Sequence, residues 1–147
     1  MAVSNIERFD ETVAKIFSEL YLEFPLPHNL RAESFMNSPM EFHEVYGKEM
    51  PTQDDAEFFI ATAQWLIQTG YIYGEVHPYI RVSDAVLTAK GLEVLKASPD
   101  SLATGPSIGE QLATATKDGS KELMRGLLAQ ALTLGTRLVS PLVGLTP

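Results

Sequence analysis

The sequence predicts an α+β fold that is mainly α. A helical core carries a two- or three-stranded β segment and is followed by a long C-terminal helical extension. Apolar residues recur at three- and four-residue spacing through residues 6–20, 56–70 and 108–138, the period of helices buried on one side. Between the second and third of these lie two short runs rich in aromatic and β-branched residues, Tyr71–Tyr73 and Tyr79–Val82, punctuated by Gly74 and Pro78. Ser98–Gly105 reads SPDSLATG, the composition of a linker. The chain therefore divides into an N-terminal domain over residues 1–97, a linker over 98–106 and an amphipathic extension over 107–147.

Taken in order, Ser4 and Glu7 form a capping box that opens the first helix. Ile6, Phe9, Val13, Ile16, Phe17 and Leu20 give it an apolar face, and Pro25 requires it to stop beforehand. The PLPHNL segment that follows is a turn or a short extended piece. Leu30–Met36 and Met40–Tyr46 read as two short helices split at Asn37-Ser38-Pro39.

Pro51-Thr52 opens the next helix, with Asp54, Asp55 and Glu57 against the positive end of its dipole. On a helical wheel Ala56, Phe59, Ile60, Ala63, Leu66, Ile67 and Gly70 share the core face. Phe58, Ala61, Thr62, Trp65, Gln68 and Thr69 lie opposite. The two β runs follow, joined by a tip at Gly74–Pro78, and Thr88 then caps a helix through Lys96. Ser107–Glu110 is a second capping box. From it a helix runs to about Ser140, ended by Pro141 and open to division at Gly119.

The block WLIQTGYI (Trp65–Ile72) followed by VLTAKGLEVL (Val86–Leu95) resembles the winged helix-turn-helix domains of the MarR-like and PadR-like groups, over residues 5–97. The resemblance implies a winged-helix fold with a recognition helix at Pro51–Gly70 and a two- or three-stranded wing after it. It also implies that the glycine of LTAKG lets the closing helix approach closely. The lysines and arginines with which those families usually contact DNA find no matching positions, so DNA binding does not come with the likeness.

Charge points the same way. The net charge is −8. Residues 1–100 hold 16 acidic and 7 basic side chains, whereas residues 101–147 hold 3 and 4. No lysine or arginine occurs between Pro51 and Gly74. Phosphate neutralisation supplies most non-specific nucleic-acid affinity, so this helix meets a phosphate backbone with repulsion. Phe58 and Trp65, on the face opposite the core, either pack on the first or the last helix, as large aromatics usually do, or with Thr62 are candidate anchors for a protein partner. Past Leu123 the C-terminal helix is apolar nearly all round, which calls for burial on more than one side. Leu123, Leu127, Leu128, Leu134 and Leu138 join the candidate partner-binding set, with self-association or packing within the chain as the other readings of this stripe.

Other chemistry finds little footing. Gly105-Pro106-Ser107-Ile108-Gly109 matches the G-x-S-x-G pattern, but a linker precedes it where a nucleophile elbow needs a strand, so Ser107 reads as a helix cap. His43-Glu44 begins like H-E-x-x-H, yet Gly47 stands at the second histidine position. With no cysteine and three scattered histidines, no metal site and no cofactor is expected. The N-terminus lacks a secretory signal pattern and no apolar run spans a bilayer, so a cytoplasmic protein is expected. The expectation is a non-enzymatic interaction module binding a protein partner or a second copy. The alternatives are a dimeric regulator touching DNA through Arg31, Lys48, Arg81 and Lys90, and peripheral membrane contact through residues 120–145.

Overall fold

Four of the five longer helices are capped by a residue visible in the sequence. The computed structural model describes residues 4–36, 40–78, 81–98 and 105–145, with side chains placed for all of these except 43 and 139–145. Ser4 accepts from the Glu7 amide at 3.1 Å and opens α1 (Asn5–Glu23). The chain then makes β1 (His28–Arg31) and one turn of helix, α2 (Ala32–Phe35). A hairpin of β2 (Glu41–His43) and β3 (Lys48–Met50) precedes α3 (Gln53–Gln68), which Thr52 caps. Strands β4 (Ile72–His77) and β5 (Arg81–Leu87) lead into α4 (Ala89–Lys96), capped by Thr88. Ser107 caps α5 (Ile108–Asp118), and α6 (Lys121–Leu145) closes the chain. The fold is α+β, helix-rich, with one three-stranded antiparallel sheet and one two-stranded one among the described residues.

The larger sheet has strand order β1-β5-β4. Leu30, Ile72, Val82, Ala85 and Leu87 turn from it into the core, each at most 3% exposed. Strand β5 carries one extra residue against both neighbours: Tyr73 and Glu75 face Val86 and Ser83, while His28 and Leu30 face Ala85 and Val82. The bulge centres on Asp84 at φ 54°, whose amide donates to Asn29 Oδ1 at 3.3 Å. This corrects the expected tip at Gly74. That glycine lies inside β4, where a Cβ would come within 2.6 Å of Val82 Cγ1. Residues 79 and 80, which begin the second expected run, lie outside the described residues.

Residues 40–46 overturn the expected helix. A seven-residue helix is too short to persist without an apolar face to bury, and here Phe42, Val45 and Tyr46 are 65, 82 and 54% exposed. The segment pairs as a hairpin instead, Phe42 opposite Glu49, with Gly47 at φ 66° in the turn. The expected split at residues 37–39 lies outside the described residues.

The C-terminal helices share the main core. Ile108, Leu112 and Ala115 of α5 and Met124, Leu127, Leu128 and Ala131 of α6 join Val13, Ile16, Phe17, Phe59 and Leu95 in one buried cluster. The Ile108 amide donates to the Ala97 carbonyl at 2.8 Å and ties the two ends of residues 98–107 together. Gly119, left-handed at φ 75°, divides α5 from α6. Helix α6 then continues through Pro141 to Leu145 instead of ending there. Proline inside a helix removes one ladder bond and crowds a carbonyl, at a cost of about 3 kcal/mol.

Candidate interaction surface

The first turn of α3 sets the surface. The Thr52 hydroxyl accepts from the Asp55 amide at 3.2 Å, which turns the Asp55 side chain inward to 6% exposure. Arg8, reaching over from α1, donates to Asp55 Oδ1 at 3.1 Å, and its guanidinium lies 4.1 Å from the centre of the Phe58 ring. The wheel places Phe58 facing outward, but a cation 50 residues earlier in the chain covers it. Thr62 is buried as well, 4% exposed, with its hydroxyl donating to the Phe58 carbonyl at 2.8 Å. Trp65 remains 39% exposed, its ring edge-on to Phe9 at 5.2 Å and stacked near Tyr71 at 6.1 Å.

The solvent face of α3 is thus rotated from the predicted one. It runs through Asp54, Glu57, Ala61, Gln64 and Gln68, all exposed, at the three- and four-residue steps of one helical stripe. Carboxylates and amides make up its polar groups. No cation lies on it.

Beside the start of α3 the β2–β3 hairpin walls a groove of about 440 Å³, lined by Glu41, Phe42, Tyr46, Met50, Thr52 and Ala56 among others. Sequence reasoning misses this feature, because it reads Met40–Tyr46 as a helix. The signal available was Gly47, a turn former between two short runs.

On α6 the five candidate leucines separate. Leu127 and Leu128 are 3 and 0% exposed and belong to the core, so in this arrangement neither is open to a partner. Leu134 is half-buried against the same cluster. Only Leu123 and Leu138, 47 and 43% exposed, face outward among the five. Helix α6 is held to α1 by charge as well as by packing: Arg125 Nε lies 3.5 Å from Asp10 Oδ2, and Lys121 Nζ 3.9 Å from Glu11 Oε2. Lys15 sits in the same seam. Burial lowers its pKa, Glu11 opposes that shift, and Lys121 adds to it.

Ser107 serves as the α5 cap, accepting from the Glu110 amide at 3.1 Å, with its hydroxyl 3.0 Å from Tyr21 OH. Among the described residues no group of three or more histidine, aspartate or glutamate side chains is placed to hold a metal ion. None of the described helices is long and apolar enough to cross a membrane. The chain matches no protein-family model, no curated protein and no solved structure.

Proposed function

We propose that this protein is a non-enzymatic interaction module of the cytoplasm, built on a winged helix whose recognition-helix position has been given over to binding protein. The element order from α1 to β5 and the sheet order β1-β5-β4 accord with a winged helix, in which α3 takes the recognition position and β4–β5 the wing. The observation that carries the reading is the outer stripe of α3, where Asp54, Glu57, Gln64 and Gln68 stand without a cation. Phosphates would gain nothing there, and the −8 net charge opposes their approach.

The cations available to a DNA-binding reading are also fewer than their number suggests. Lys90 donates to the Thr69 carbonyl at 2.8 Å and sits 4.2 Å from the centre of the Tyr71 ring, committed to the fold. Retention on heparin or generic duplex DNA at low salt tests the proposal. Elution with the unbound fraction is expected. Retention that falls steeply as salt rises would replace the adaptor with a nucleic-acid regulator.

A further inference from the structure

We infer that the groove between the β2–β3 hairpin and the first turn of α3 is a docking site for a cationic polypeptide segment, one that inserts an apolar side chain flanked by lysine or arginine. Its volume of about 440 Å³ falls within the roughly 300–1,000 Å³ of ligand-binding clefts. Phe42 and Tyr46 line it while staying 65 and 54% exposed. Aromatic rings held at the surface in this way accept both an aliphatic side chain and a cation over the ring face.

The charge around the groove selects the occupant. From Glu41 to Glu57 the chain carries six carboxylates and one lysine, Lys48. Arg8 pairs with Asp55; Glu41, Glu44, Glu49, Asp54 and Glu57 have no ion-pair partner among the described residues. Glu41 lines the groove and Glu49 stands opposite Phe42 in the hairpin, so an anionic ligand would meet repulsion there. A second copy of the chain is a poor fit too: it carries the same net charge of −8, and two of its four C-terminal cations, Lys121 and Arg125, are engaged with Glu11 and Asp10 of their own α1. A basic segment from another protein brings the charge that the groove lacks, and electrostatic complementarity of this kind speeds encounter and fixes register.

Such docking presupposes the adaptor role proposed above, yet the two fail separately. The probe is a short fluorescein-labelled peptide of alternating lysine and leucine, followed by fluorescence anisotropy against the full chain. Saturable binding is expected, with the leucine-to-serine and lysine-to-glutamate versions of the peptide weaker by about ten-fold or more. Phe42→Ser and the E41Q/E49Q pair should each weaken binding about five-fold or more; both alter exposed side chains, and circular dichroism checks that the fold persists. An E93Q/E122Q pair removes the same formal charge elsewhere and should leave binding within about two-fold. No binding, or equal weakening by the two charge-removing pairs, overturns the groove as a site. Salt-sensitive DNA retention would instead remove the adaptor reading and leave the anisotropy result to stand by itself.

Discussion

Arg8 of α1 and Asp55 of α3 form an ion pair of 3.1 Å in which the carboxylate side is almost fully buried. The same guanidinium roofs Phe58, so one side chain fixes the start of α3 and hides an aromatic ring. Arg8→Ala leaves a buried carboxylate unpaired, and about 2 kcal/mol of stability should go with it. Urea unfolding followed by circular dichroism measures the loss. The R8A/D55N double variant should cost less than the sum of the two single changes, because the stranded charge has gone too. A single-variant loss under about 0.5 kcal/mol would reduce the contact to an ordinary surface pair.

Two glycines press on Tyr71 from different helices. A Cβ at Gly91 of α4 would collide with the Tyr71 carbonyl, and one at Gly135 of α6 with the Tyr71 hydroxyl. Gly91→Ala should therefore cost the most, about 2–3 kcal/mol, since a paired backbone must move. Gly135→Ala should cost less. Tyr71→Phe in the same chain should return part of it by removing the nearest atom. A Gly135→Ala chain as stable as the parent would mean that α6 sits further from the sheet than described.

Leu128 and Leu138 lie ten residues apart on one helix and should respond to truncation by very different amounts. Leu128→Ala opens a cavity among fully buried neighbours and should lower stability by about 3 kcal/mol. Leu138, 43% exposed, should change it by less than about 0.5 kcal/mol. If α6 bound only in trans, both variants would leave monomer stability alone, which thermal unfolding across a range of protein concentrations would reveal.

Alkaline pH should act on stability through two opposed groups. Burial lowers the Lys15 pKa, so between that folded value and the ordinary 10.5 the unfolded chain holds more protons, and stability rises with pH. Burial raises Tyr71 above its ordinary 10.0, so past that point the folded chain holds more protons and stability falls. Lys15→Met should abolish the rise and keep the fall, and Tyr71→Phe should do the reverse. Unfolding midpoints measured from neutral to strongly alkaline buffer would check both signs.

Where local chemistry decides the structure, the sequence was readable. Ser4, Thr52, Thr88 and Ser107 each cap the helix that the capping patterns and apolar periods marked, and Gly91 makes the close approach that LTAKG implied. What stayed hidden depends on distant partners. The outward face of α3 is legible only in part: Ala61, Trp65 and Gln68 are exposed as the wheel places them, but Arg8 covers Phe58 and the Thr62 hydroxyl is satisfied within its own helix. Residues 40–50 bury almost nothing, so no period marks them; cross-strand pairing defines the hairpin there. The split among the leucines of α6 was likewise out of reach, since it follows from where α1 and α5 lie rather than from spacing along the chain.

The aromatic chain from Phe9 through Trp65 to Tyr71 gives the molecule a built-in optical gauge. Trp65 is the sole indole in the sequence, and the ring it stacks on is the one that Gly135 presses against. Loosening of the last helix therefore has a route to the indole through one intervening ring. Emission colour and quenching would record it without a label.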